Sequence, residues 1–132
     1  MGHPQMFDDD DPVLAQVRQI CLALPGAAEK ISHGRPAFFT RKVFAYYGGS
    51  TRLDGVWHAH DTSILIVPGP EDAEALAQDE RCWVPAYLGA HGWLGLDLTG
   101  PVDWAEVAEL VEVSYRQTAP TRVTAELDAM NG

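Results

Sequence analysis

Residues 29–47 read EKISHGRPAFFTRKVFAYY, and they restrict this part of the chain to extended structure. Ser32-His33-Gly34-Arg35-Pro36 is unsuited to a helix interior, because Gly34 is conformationally permissive and Pro36 pushes Arg35 toward extended geometry. Residues 37–39 and 43–47 are rich in aromatic and β-branched side chains, which suit a pleated, half-buried surface. The segment therefore reads as a leading loop followed by two short strands. Thr40-Arg41-Lys42 is a polar break of hairpin length between them. Gly48-Gly49-Ser50 ends the second strand. Strict alternation puts Phe44 and Tyr46 on one face of that strand and Val43, Ala45 and Tyr47 on the other. Both faces are apolar, as in a central or covered strand.

The remaining elements follow from caps and periodicity. Asp11-Pro12 is an N-cap followed by proline at the first helical position. Leu14, Val17, Cys21 and Leu24 then recur at helical spacing, predicting a helix over 12–24 that Pro25-Gly26 stops. Residues 51–55 read as a polar loop, 55–60 as a short strand, and 63–67 as a clearer one. A second helix is expected over 70–79, with acids in its first turn where the helix dipole favours them. Residues 82–92 are aromatic and irregular, and 93–98 alternate as a strand. Asp103 with Glu106 forms a variant capping box for a helix over 103–117. Pro120 breaks that helix before a short final one over 121–130. Helix, several strands, short helix, strand and long helix is not an alternating βα order. It predicts an α+β fold, an antiparallel sheet with helices packed on one face.

A chain of 132 residues is long enough for one hydrophobic core. We read residues 1–10 as an acidic tail and 11–132 as a single domain. No apolar run approaches the ~20 residues that span a bilayer, so no membrane association is expected, and the acidic start has no apolar signal region. Cys21 and Cys82 belong to no CxxC pair and read as reduced thiols of a cytoplasmic protein.

Charge is distributed unevenly. Lys30, Arg35, Arg41, Lys42 and Arg52 contribute five positive charges over residues 30–52, with no Asp or Glu among them. The whole chain carries −10, which leaves −15 on the remainder. Such a balance argues against broad, non-specific nucleic-acid binding. The five cations either keep turn tips soluble or form a local patch for an anionic partner.

Several landmarks stand in a specific order: Leu24-Pro25-Gly26, Glu29, Gly34-Arg35-Pro36-Ala37-Phe38, Lys42-Val43-Phe44-Ala45, the apolar strand near Ile64 with a Pro-Glu helix after it, Tyr87-Leu88-Gly89, Trp93, Ser114-Tyr115 and Pro120. The ordered set, spanning about residues 12–128, resembles the MmcQ/YjbR family of small bacterial proteins. That resemblance implies a CyaY-like fold and a DNA-binding role for sheet and hairpin elements acting as a wing. The chain has Arg41 where a glycine often stands in that family.

Two candidate sites result. The first is a nucleic-acid or anion-binding patch of Lys30, Arg35, Arg41, Lys42 and Arg52, with Arg41 and Lys42 at a hairpin tip; it requires the five charges to converge on one side. The second is a pocket for a small molecule or a protein partner, built from Trp57, Trp83, Tyr87, His91 and Trp93 in the aromatic 83–93 region, with Arg35 or His91 at its rim. The same aromatic residues equally suit an ordinary core. His58 and His60 could join His33 or His91 around a metal, but the ligand spacings of known metal motifs are absent, and no metal or cofactor is expected. No nucleophile motif or phosphate loop is present. The expectation is a binding module rather than an enzyme.

Overall fold

The structure is a computed structural model, and it describes residues 4–132; the first three residues of the expected acidic tail lie outside the described residues. Helix α1 (Pro12–Leu22) begins as its cap predicts, with the Asp11 side chain accepting from the backbone N–H of Val13. The same carboxylate accepts a short hydrogen bond from the Tyr47 hydroxyl, so the helix start is fastened to the sheet. Leu14, Val17 and Cys21 form its buried stripe.

Strands β1 (Ala28–Ser32) and β2 (Arg35–Phe39) follow. The expected leading loop is thus itself a strand. His33 and Gly34 join the two with φ of 52° and 82°, positive at both central residues as a primed two-residue turn requires. β3 (Val43–Leu53) and β4 (Val56–Ile66) are each 11 residues long. The polar loop expected at 51–55 is instead a second tight turn, Asp54-Gly55 with φ of 51° and 78°. The two short strands expected at 55–60 and 63–67 are one strand. Asp-Gly is a strong hairpin signal, but the flanking residues lack the alternation that would identify paired strands.

Then come α2 (Ala73–Ala77), β5 (Cys82–Trp83), a 3-10 turn (Leu88–His91), β6 (Leu94–Asp97), α3 (Trp104–Thr118) and α4 (Thr121–Asn131). The second helix is therefore shorter than expected. Among the described residues, six strands form one sheet in the order β1-β2-β3-β4-β6-β5, with every neighbouring pair antiparallel. This is the α+β architecture that the element order predicts.

One core lies between the sheet and the helices α1, α3 and α4. Leu14, Val17, Val107, Val111, Tyr115, Val123 and Leu127 meet Phe38, Ala45, Tyr47, Ile64, Ile66 and Leu96 there. Phe44 joins this side too, contrary to the alternation expected for β3. Phe38 pairs with Ala45 while Phe39 pairs with Val43, so Phe44 is the extra residue of a bulge, and a bulge re-aims side chains. Its ring meets Tyr115 edge-on at 5.4 Å. Tyr46 remains on the opposite face.

Ser114 is fully buried. Its Oγ donates to the Phe44 carbonyl at 2.6 Å and accepts from the Val67 N–H at 2.9 Å, satisfying backbone groups that the bulge and the end of β4 leave without ladder partners. At the start of α3, Asp103 accepts from the N–H groups of Ala105 and Glu106. Asp103→Ala is expected to lower stability by about 1 kcal/mol, measured by urea denaturation. An unchanged midpoint would mean that solvent replaces the cap without cost.

Candidate functional site

The face of the sheet away from the helices is built from cross-strand neighbours. Tyr46 pairs with Leu65, Leu65 with Gly95 and Gly95 with Trp83, a row running across β3, β4, β6 and β5. The glycine in this row makes room for an indole, since a Cβ on Gly95 would lie 2.3 Å from Cε2 of Trp83. Trp83 stacks on His60 at 4.1 Å between ring centroids. The Nδ1 of His60 is hydrogen-bonded to Asp97 at 2.9 Å. Trp93 covers Tyr46, with the rings 5.4 Å apart.

The stretch after β5 folds back over this face. Thr51 Oγ1 donates to the Val84 carbonyl at 2.7 Å, and the Ala86 N–H donates to Ser50 at 2.9 Å. On the other side the Met6 N–H donates to the Gly34 carbonyl at 2.8 Å, laying the N-terminal segment along the β1–β2 turn. Between these two walls is a cavity of about 600 Å3, floored by Tyr46, Gly48, Gly49 and Leu65 and flanked by Met6, Arg35, Trp57 and Tyr87.

Two of the flanking groups are unusual. Tyr87 is 80% exposed and has φ of 65°. A bulky residue in that region of backbone space costs on the order of 1–3 kcal/mol and needs support from its surroundings. Its ring lies 6.2 Å from that of the half-exposed Trp57, so two aromatic side chains border the cavity. The side chain of Arg35 is only 9% exposed, and its Nη2 donates to Asp61 Oδ1 at 2.9 Å. Its Nη1 is buried with no hydrogen-bond partner among the described residues. Gly48 is the reason the guanidinium fits, because a Cβ there would lie 2.4 Å from Nη1.

The five cations singled out from the sequence are not brought together. Arg35 is buried in the cavity wall. The Lys30 Nζ sits 4.9 Å over the ring of Phe39. Arg41 and Lys42 are exposed in the β2–β3 turn. Arg52 lies near the far end of the 11-residue β3, on the order of 30 Å along the strand at ~3.3 Å per residue, with its guanidinium over Trp57. Of the aromatic set, Trp57 and Tyr87 line the cavity. Trp83 packs over the glycines and Trp93 on Tyr46. His91 is exposed on the 3-10 turn, and Arg35 is a buried wall residue rather than part of a rim. Met6, Tyr46, Gly48 and Leu65 were not legible as cavity residues. The one signal was the Gly48-Gly49 pair, which reads locally as a strand end.

Cys21 is fully buried, and burial pushes its thiol far above the usual range. Burial also raises the half-buried Cys82 thiol to about 11. Both therefore stay protonated at neutral pH, whereas a nucleophilic cysteine needs its thiolate. Among the described residues no group of three or more His, Cys, Asp or Glu side chains is placed to hold a metal ion. No helix of the described residues is long and apolar enough to cross a membrane.

Comparison with solved structures finds the crystal structure of the Deinococcus radiodurans protein DR2400, described as a DUF419 domain, at a TM-score of 0.58 and 19% identity over 87% of both chains. At that identity the likeness shows a shared fold. Among curated proteins none matches the chain. The YjbR family model matches residues 22–117. That span runs from the end of α1 into α3, holding the whole sheet and nearly every cavity residue, so the chain belongs to the YjbR family.

Proposed function

We propose that this protein is a binding module that takes a small organic molecule into the cavity on the open face of the sheet. The observation that carries this is the mouth of that cavity. Tyr87 is held in a costly backbone conformation with its ring out in solvent, beside Trp57, over about 600 Å3 of mainly apolar space. The volume is within the ~300–1,000 Å3 of small-molecule sites. Exposed aromatic rings at such a mouth offer stacking area to an apolar or aromatic ligand. Neither cysteine lines the cavity, and its apolar floor and aromatic mouth support recognition of a ligand.

Aromatic fragments titrated into isotope-labelled protein are expected to shift the amides of Gly48, Gly49, Ser50, Ala86, Tyr87 and Leu88. Trp57→Ala and Tyr87→Ala should each weaken the binding about tenfold, since base or ring stacking is worth roughly 1–3 kcal/mol. Shifts that cluster elsewhere, or affinities that ignore both substitutions, would count against the cavity.

Arg41 and Lys42 support a second reading, a contact with nucleic acid, because they stand side by side and exposed on one turn. Two phosphate contacts on duplex DNA would give a log K against log salt slope of about −1.8. Amide shifts confined to residues 40–43 when DNA replaces the fragment would favour this turn over the cavity.

A further inference from the structure

We infer that the cavity selects monoanionic ligands, an apolar or aromatic body carrying one carboxylate, with Arg35 as the anchor for the charged end. This rests on the small-molecule reading of the same cavity. Arg35 is the permanently charged cation among the cavity's lining residues, with His33 the other basic side chain there, and Arg35 is more than nine-tenths buried. A buried guanidinium ordinarily has its donors satisfied, and its fork fits a carboxylate bidentately. Here Asp61 takes Nη2 alone and is itself 65% exposed, so this carboxylate sits toward solvent rather than sharing the burial of its partner. Nη1 is left with no partner, packed against Gly48 in the space that a side chain there would fill. Two other buried polar atoms among the described residues lack partners, Thr40 Oγ1 and Trp83 Nε1. Neither belongs to a charged group, and neither residue lines the cavity.

Electrostatics limits the ligand to a single charge. One guanidinium already facing one carboxylate can offset one more negative charge only in part. Lys30, Arg41, Lys42 and Arg52 do not line the cavity, and the chain as a whole carries −10. A dianionic phosphate would meet the repulsion of Asp61 without a lysine or second arginine in the lining to balance it, and like charges in one site disfavour each other. The apolar floor of Tyr46 and Leu65 and the Trp57–Tyr87 mouth suit the body of the molecule rather than its charged end.

The test is a panel of matched ligands, each aromatic body (phenyl, naphthyl, indolyl) carried as its acetate, its acetamide and its methylphosphonate. Affinities are read by amide-shift titration. For bodies that bind, the acetate should bind wild-type protein at least tenfold more tightly than the acetamide, and the phosphonate no more tightly than the acetate. Arg35→Met should remove the preference of acetate over acetamide. Because that variant risks misfolding, Asp61→Asn provides an independent check at an exposed position. It keeps the guanidinium and removes its competitor, so acetate affinity should rise several-fold while acetamide affinity stays level. Acetate and acetamide binding equally in the cavity would overturn the anion inference and leave the cavity reading intact. A tighter phosphonate would overturn the single-charge limit. If no body binds in any form, both readings fall.

Discussion

Truncating Tyr115 to alanine is expected to destabilise the domain by about 4–5 kcal/mol, the largest effect of any single substitution considered. The ring is fully buried. It meets Phe44 edge-on, with the ring planes at 87°. Removing a buried aromatic ring costs ~3–5 kcal/mol through lost transfer energy and the cavity left behind. The hydroxyl adds a further contribution, because it donates to the Pro25 carbonyl at 2.7 Å across 90 residues of sequence. Tyr115→Phe keeps the ring and loses only that hydrogen bond, at a cost of about 1 kcal/mol. Domains of this size are stable by only ~5–15 kcal/mol, so the alanine variant should approach the limit of folding. Urea denaturation of both variants separates the two contributions. If the phenylalanine variant proved as unstable as the alanine one, the hydroxyl would matter far more than its geometry implies.

Gly48→Ala is expected to cost about 2–4 kcal/mol and to abolish ligand anchoring at Arg35. Two effects combine. The residue has φ of 80°, and a left-handed backbone costs an L-residue roughly 1–2 kcal/mol. The new Cβ would also lie 2.4 Å from Arg35 Nη1 and 3.1 Å from the backbone carbonyl oxygen of Asp61. The guanidinium must therefore leave its place and loosen its bond to Asp61. Gly55→Ala serves as the comparison, because Gly55 has φ of 78° but open space where the Cβ would go. It should lose only the backbone contribution and keep full binding. Equal destabilisation of the two variants in urea, with equal ligand affinity, would show that the Arg35 contact contributes nothing.

These two residues also mark what was legible in the sequence. Tyr115 stands in a helical stripe that begins at a capped Asp103, and the N-caps at residues 11 and 103 form as read, while Glu106 pairs with Arg81 rather than completing the expected capping box. Caps are decided by atoms two or three residues apart, so local sequence contains them. The β1–β2 and β3–β4 turns were missed for different reasons. His33 adopts positive φ without belonging to the usual Asn-Gly or Asp-Gly pair. Asp54-Gly55 does belong to it, but its flanks are exposed on both faces and carry no hydrophobic alternation. Arg35 was grouped with its neighbours in sequence because they share a sign. Its burial is set by Asp61, 26 residues away, and by the missing side chain of Gly48. Neither can be weighed before β2, β3 and β4 are in register. The bulge at Phe44 likewise exists only once two strands are paired.

The two outer strands of the sheet bear on how the protein behaves at high concentration. β5 is two residues long, too short a row of free backbone donors and acceptors to template an added strand. β1 is longer, five residues, and exposes Ile31. It also carries Glu29 and Lys30 in the middle of its run, with Glu29 already held by Arg18. Charged side chains on an outer strand oppose pairing with another chain, and so does brevity. The sheet is therefore closed to growth at one border by length and at the other by charge, which disfavours aggregation through its edges.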